Sequence, residues 1–163
     1  MAFIDVDSED SVINPTFYNV TAAVGYGCRN MAEDVKIVQF FLKRFYMIPE
    51  VMASKPWGAM TVDGKVGPIT RAWILKYQID CQNHGTNTMI DGIVNTAGND
   101  AGNYTASISQ TVYTIKMLNI MLRKLDTVVY KTLTINQEVP LDMRLIFIKL
   151  QAQGPPMNYA SNN

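Results

Sequence analysis

Charge is scarce in this sequence, and the charges that are present cancel. Only 17% of the 163 residues are charged, and the formal net charge is zero. Proteins that hold nucleic acid usually carry a strongly basic face, so this balance does not indicate a nucleic-acid partner. Acidic residues predominate over 1–34 and basic residues over 105–150. That distribution is typical of solvated surface, and it also fits end-to-end complementarity in an assembly.

Cysteine and histidine are scarce as well, which limits the chemistry open to the chain. The two cysteines, Cys28 and Cys81, are too few for a disulfide framework, and the sequence leaves open whether they pair or stay free. The single histidine, His84, lies in a polar stretch where an exposed turn residue is expected. No zinc-protease, serine-hydrolase or phosphate-loop motif occurs, and the carboxylates are scattered. We therefore expect no enzyme activity, no catalytic residue, no bound metal and no cofactor.

Long apolar runs are missing too. No stretch of about 18 or more apolar residues occurs, so we expect no transmembrane helix and no insertion into a membrane. Residues 1–4 lead straight into acidic residues, without the basic and apolar regions of a signal peptide. We expect synthesis in the cytoplasm without a signal peptide, with assembly into a secreted or extracellular particle as one destination.

A turn followed by a helix is predicted between Thr61 and Gln78. Asp63–Gly64 favours a tight turn, and Gly67–Pro68 favours the start of a helix, because proline is well tolerated at the first helical position. One face of this helix would hold Ile69, Trp73 and Tyr77. A second Asp-Gly turn is predicted at Asp91–Gly92.

Apolar spacing predicts an earlier helix that begins at or just after Asn30 and ends before Pro49. Glu33 and Asp34 fall in its first turn, where acidic side chains interact favourably with the helix dipole. Its apolar residues cover more than one side, which predicts a buried helix. Those residues are Val35, Ile37, Val38, Phe40, Phe41, Leu42 and Phe45. Residues 17–21 predict a short strand ahead of the helix.

Methionine is frequent, with ten residues in the chain. Three of them, Met47, Met52 and Met60, lie in the loop predicted over 47–60, which also carries Trp57. Flexible methionine side chains suit adaptable contact surfaces and are also common core fillers. Both interpretations stay open from the sequence.

Two further helices are predicted in the C-terminal third. Over 108–125, apolar residues recur at steps of three and four, which is typical of an amphipathic helix with a wide apolar face. We expect that face either to pack within the chain or to bind another subunit. Pro140 predicts the start of a final helix. Its apolar face would hold Leu141, Leu145 and Ile148. The β-branched residues over 128–135 predict a strand or the edge of a linker.

Several motifs over residues 20–98 resemble those of peptidoglycan-binding-like domains. In that family a glycine loop and an asparagine precede a helix of the pattern D-V-x-x-V-Q-x-x-L, which is similar to Asp34–Leu42 here. Asp63–Thr70 resembles the turn D-G-x-[FV]-G-P-x-T, and Tyr77–Gln78 resembles the aromatic-Gln pair of the second helix. Asp91–Val94 resembles the closing turn D-G-x-[VI]. The loop over 47–60 is longer than the family's.

The resemblance implies a mainly α fold, with a small three-helix peptidoglycan-binding-like bundle and additional C-terminal helices. It divides the chain into an N-terminal arm (1–19), the domain (20–98), a linker loop (99–107), a helical extension (108–152) and a flexible tail (153–163). We expect the 108–125 helix and the N-terminal arm to contact other protein subunits, of the same or another kind.

Two functions are consistent with this reading. We expect a non-catalytic binding or docking module, a structural or adaptor component of a larger assembly such as a phage-tail-like or contractile injection machine. The alternative is a stand-alone protein that binds peptidoglycan of the cell wall. Sugar recognition needs an exposed aromatic ring with polar and charged neighbours. The candidate ligand-binding residues are Trp57, Tyr46, Tyr26, Arg29 and Arg71. For Trp57, the other interpretation is a lid folded onto the bundle.

Overall fold

A computed structural model describes residues 2–6, 16–97 and 111–153. These residues form a mainly α-helical protein, as predicted, with five helices and four short strands. The helices are α1 (Ala32–Phe45), α2 (Pro68–Asn83), α3 (Thr114–Leu125), α4 (Thr127–Lys131) and α5 (Leu141–Gln153). The strands pair antiparallel, β1 (Phe3–Val6) with β2 (Thr16–Asn19) and β3 (Val24–Gly25) with β4 (Ile93–Val94). The predicted linker loop and residues 154–163 of the predicted tail lie outside the described residues.

The central helix is α1, and its prediction is confirmed. It packs against α2, α3 and α5, so apolar side chains are needed on more than one side. Its fully buried apolar residues are Val35, Ile37, Val38, Phe41 and Leu42. Asp34 in the first turn is also buried, and burial raises the pKa of its carboxyl. It accepts hydrogen bonds from Ala22 N (3.0 Å) and Thr21 Oγ1 (3.2 Å), which join the preceding loop to the helix start.

Both predicted Asp-Gly turns are confirmed, and each is bound by a buried glutamine from the preceding helix. The turn glycines are left-handed, with φ of 77° at Gly64 and 73° at Gly92, a conformation in which a Cβ causes strain. Gln39, on α1, donates through Nε2 to Asp63 Oδ1 (3.0 Å). Its Oε1 accepts from the Gly64 N–H (2.9 Å). The side-chain amide therefore replaces water around the turn.

The second turn repeats this arrangement with Gln78 on α2. Gln78 Nε2 donates to Asp91 Oδ1 (3.2 Å) and to Thr114 Oγ1 (3.1 Å). Its Oε1 accepts from the Gly92 N–H (2.9 Å). In the first turn, Thr70 Oγ1 accepts from the glutamine in the same way (3.1 Å). Each unit thus contains a helix, its glutamine, an Asp-Gly turn and a threonine in the first turn of the next helix, which for the second unit is α3.

The predicted start of the 108–125 helix is wrong, because α3 begins at Thr114. Residues 108–110 lie outside the described residues. The Val112 N–H donates to Asn87 O (2.7 Å), and Thr88 Oγ1 donates to Val112 O (3.1 Å). These bonds to a distant segment hold the backbone extended just before the helix. The buried apolar residues of α3 are Ile115, Leu118 and Leu122. They pack within this chain, which is one of the two expected outcomes.

The C-terminal predictions are corrected at two points. The strand or linker predicted over 128–135 is wrong, since α4 places Val129 and Tyr130 in the core from a helical turn, and tertiary packing overrides the local preference for a strand. The final helix is confirmed, but its predicted face is wrong. Leu141, Leu145 and Ile148 are 63%, 57% and 48% exposed, whereas the buried residues are Met143, Phe147 and Leu150. Apolar residues surround much of α5, so spacing alone does not select its buried face.

An aromatic cluster determines which face of α5 is buried. The Phe147 ring lies 4.8 Å from that of Tyr18 on β2, and 5.9 Å from that of Phe40 on α1, between ring centroids. It stacks on Phe41 at 6.1 Å with an interplanar angle of 14°. Tyr130 from α4 contacts the same cluster. The buried core is therefore shared between the segment predicted as a domain and the segment predicted as its extension.

A buried amide joins the N-terminal segment to the bundle. Asn119 on α3 is 3% exposed. Its Oδ1 accepts from the Tyr18 N–H (2.9 Å), and its Nδ2 donates to Tyr18 O (3.0 Å). The Tyr130 hydroxyl donates to the same Oδ1 (2.6 Å). The described part of the predicted arm is thus a strand pair held against α3, while residues 7–15 lie outside the described residues.

Candidate functional site

Among the candidate sugar-binding residues, Trp57 is accessible. Its side chain is 70% exposed, so it does not form a lid on the bundle. Its backbone oxygen accepts a hydrogen bond from Trp73 Nε1 (3.1 Å), which fixes the loop to α2. Gly58, the next residue, packs against the Ile69 side chain. The backbone at Trp57 and Gly58 therefore lies beside Trp73 and Ile69 of α2, and the indole is exposed to solvent.

Tyr26 and Arg71 are brought together on another side of α2. Tyr26 is 80% exposed, and the Arg71 guanidinium lies 5.8 Å from the centre of its ring. Ile69 and Arg71 are two residues apart, about 200° around a helix axis. Arg29 is also exposed. The structure thus joins Tyr26 with Arg71, whereas the backbone of the Trp57 segment is anchored at Trp73 and Ile69.

Tyr46 occupies the core and is 4% exposed. Its hydroxyl donates to Asp80 Oδ2 (2.6 Å), and its ring packs edge-on against those of Phe45 and Trp73. Burial, together with the Asp80 carboxylate, raises the pKa of Tyr46. This side chain joins α1 to α2, and the Lys76 ammonium lies over its ring, 6.0 Å from the ring centroid.

A large cavity opens where α2, α3 and the loop after α1 meet. Its volume is about 620 Å³. Its apolar lining includes Phe45, Val51, Met52, Ala53, Met117, Met121 and Leu125. A second cavity of about 370 Å³ adjoins it and shares Glu50 and Leu125. Met47 lines the second cavity. We call the two together the methionine groove, after Met47, Met52, Met117 and Met121.

The floor of the larger cavity holds two buried polar groups. The Tyr77 hydroxyl is fully buried. Its polar neighbour is the Cys81 thiol, a weak hydrogen-bonding group. Burial raises the pKa of Cys81 to about 11, so the thiol is protonated at neutral pH and is a poor nucleophile.

Acidic side chains predominate along the methionine groove. Its lining includes four carboxylates, from Glu50, Asp80, Asp126 and Glu138, and one guanidinium, from Arg44. Arg44 pairs with both Asp126 and Glu138 (2.7 Å to Glu138). Lys76 pairs with Asp80. Glu50 forms no ion pair with a described residue. The groove is therefore apolar with a negative rim.

The sequence alone indicates only part of this groove. Frequent methionine is consistent with an adaptable contact surface or with core filling, and Met47 and Met52 lie in the loop predicted over 47–60. Met117 and Met121 belong to the wide apolar face predicted for the 108–125 helix, but the sequence does not show which edge of that face stays accessible after packing. The position of the Tyr77 hydroxyl beside Cys81 is not predicted either, since spacing predicts only that the Tyr77 ring is buried.

Metal and thiol chemistry receive no support from the described ranges. In those ranges, no group of three or more His, Cys, Asp or Glu side chains is placed to hold a metal ion. Cys28 and Cys81 are both free, which decides the alternative that the sequence left open. None of the described helices combines the length and apolarity needed to cross a membrane.

Comparison of the chain with models of protein families, with curated proteins and with solved structures found no match. The resemblance to peptidoglycan-binding-like domains therefore stays a prediction. A function for this chain has to be argued from its own residues and their geometry.

Proposed function

We propose that this protein is a non-catalytic docking module, a structural or adaptor component of a larger assembly. The observation that supports it is the methionine groove, whose larger cavity of about 620 Å³ lies between α2 and α3. Cavities that hold ligands or partner side chains are commonly about 300–1,000 Å³ and mostly apolar. Methionine side chains adapt to different contacts at such surfaces.

The accessible edge of α3 is part of this groove. Ile115, Leu118 and Leu122 are used inside the chain, whereas Met117 and Met121 remain partly exposed. The partner contact predicted for the 108–125 helix is accordingly proposed for this edge. The exposed face of α5 offers a second apolar surface, with Leu141, Leu145 and Ile148.

The proposed setting is a phage-tail-like or contractile injection machine. It rests on the resemblance of residues 20–98 to peptidoglycan-binding-like domains, because machines that puncture cell envelopes contain wall-binding folds. The two glutamine-bound turns support that resemblance, since Gln39 and Gln78 occupy the glutamine positions of its motifs. The setting is an analogy at the level of fold.

A photo-crosslinking residue in place of Met121 tests the docking function. In cells that make the protein from its own gene, we expect one dominant crosslinked product with a partner subunit, detected by gel shift and mass spectrometry. The same crosslinker at Lys131, exposed on α4, is the control and should give at least about tenfold less product, because contact requires close approach. Equal products from the two positions, or none from either, would contradict the proposal.

Peptidoglycan binding is the second candidate function, favoured by the exposed Trp57 and by Tyr26 beside Arg71. If it operates, the protein sediments with purified sacculi. Trp57→Ala should then reduce the bound fraction by about tenfold, because stacking on a sugar face is lost. Met89→Ala, at another exposed apolar residue, should leave the fraction unchanged. No sedimentation of the wild type, or equal sedimentation of Trp57→Ala, removes this candidate.

A further inference from the structure

We propose that the methionine groove binds an amphipathic helix of a partner protein, with lysine or arginine residues beside the helix's apolar face. This inference rests on the docking function proposed above and specifies the chemistry of the partner. Insertion of an apolar helical face into a hydrophobic groove is a common mode of recognition. Methionine-rich walls suit it because the thioether side chain changes shape at little cost.

The extent of the groove favours an elongated partner. Its two cavities, of about 620 and 370 Å³, adjoin at Glu50 and Leu125. Side chains one or two turns apart on a helix are separated by about 5–11 Å along the axis, so successive anchors can enter adjoining cavities. Met52, Met47 and Leu125 on the rim are 99%, 57% and 39% exposed. A helix covers these rim residues, whereas a small molecule in the larger cavity leaves Met47 in water.

The charge of the groove selects a basic partner. Glu50 lies where the cavities adjoin, is exposed, and has no ion-pair partner among the described residues. Arg44 is shared between Asp126 and Glu138, so two carboxylates face one guanidinium. These carboxylates attract lysine or arginine beside the apolar face of a partner helix, and they repel glutamate at the same positions.

Two synthetic helices test the proposal. Both are about 15 residues long, enough for a helix to form on binding, and share the same leucine face. One carries lysine at its flanking positions and the other carries glutamate. Fluorescence anisotropy with the full-length protein at low ionic strength measures each affinity. We expect the lysine peptide to bind at least about tenfold more tightly than the glutamate peptide.

Three variants locate the binding. Met121→Asp should weaken the lysine peptide at least about tenfold, because it places a charge in the apolar wall. Met89→Asp, an exposed methionine outside the groove, is the matched control and should change binding by less than about twofold. Glu50→Lys should reduce or reverse the preference between the peptides. Glu50 is exposed, so this variant remains informative if Met121→Asp fails to fold.

The outcomes separate this inference from the function on which it rests. Equal affinity for the two peptides, or binding that survives both Met121→Asp and Glu50→Lys, overturns the basic-helix proposal. Absence of peptide binding combined with a partner crosslink at position 121 overturns the proposed chemistry and retains the docking function. Absence of both peptide binding and the crosslink overturns both.

Discussion

Replacement of Phe147 by alanine is expected to lower the free energy of unfolding by about 3–5 kcal/mol. Phe147 is fully buried, and its ring contacts those of Tyr18, Phe40 and Phe41. Truncation removes the buried apolar surface and leaves a cavity among rigid aromatic rings, which do not collapse to fill it. Urea denaturation followed by circular dichroism measures the loss.

Leu145→Ala is the matched control on the same helix. Leu145 is 57% exposed, so its truncation should change the unfolding free energy by less than about 1 kcal/mol. The number of unfolding transitions in urea tests whether α5 shares the core. One cooperative transition in the wild type indicates that α5 unfolds with α1, whereas a separate early transition indicates an independent C-terminal unit. A loss below about 1 kcal/mol for Phe147→Ala contradicts the shared core.

The second large effect is expected for Gln78→Ala, which should lower the free energy of unfolding by about 3–5 kcal/mol, because one buried and two partly buried backbone groups lose their partners at once. The amide satisfies the N–H groups of Asp91 and Gly92 through Oε1, and the Ile93 carbonyl (2.9 Å) through Nε2. It also binds Thr114 at the start of α3. Hydrogen exchange at Gly92 should accelerate together with the loss of stability.

An exposed glutamine provides the control for this prediction. Gln137→Ala should change the unfolding free energy by less than about 0.5 kcal/mol.

A second variant, Gln78→Glu, keeps the acceptor oxygen but loses the donor and places a carboxylate beside Asp91 Oδ1. It should therefore be destabilised at neutral pH and partly recover as the pH falls and the introduced group is protonated. Full stability of Gln78→Ala would show that water replaces the amide without cost.

The sequence predicts the parts of this fold that are determined locally. The starts of α1 and α2 follow from apolar spacing, acidic residues in a first turn and a proline at a helix start, whereas α2 continues to Asn83, beyond its predicted end. The two Asp-Gly turns follow from backbone geometry. The wrong predictions concern α3, α4 and α5, where distant contacts decide. The Val112 backbone bonds to Asn87 and Thr88, and Phe147 enters a cluster formed by three other elements.

The candidate groove is harder to predict for the same reason. Its methionines come from two segments about 70 residues apart, and they meet only because α3 buries its other edge against α1. The high methionine content is consistent with a contact surface, but no local sequence pattern predicts that Met52 and Met121 lie close together. The aromatic residues considered for sugar binding were separated for a related reason, because Tyr46 completes the contact between α1 and α2.

The hydrogen bonds at Ala97 and Val112 make the chain between them a convenient place to attach another protein. Ala97 is fixed by Asn19, whose Oδ1 accepts from the Ala97 N–H (3.1 Å) and whose Nδ2 donates to its carbonyl (3.1 Å). Val112 is fixed by Asn87, and Thr114 by Gln78. A flexible linker added on each side of an inserted protein costs little free energy, since each doubling of loop length costs only about 0.6 kcal/mol. A fluorescent reporter inserted between residues 98 and 110 is expected to leave the positions of α3 and the methionine groove unchanged.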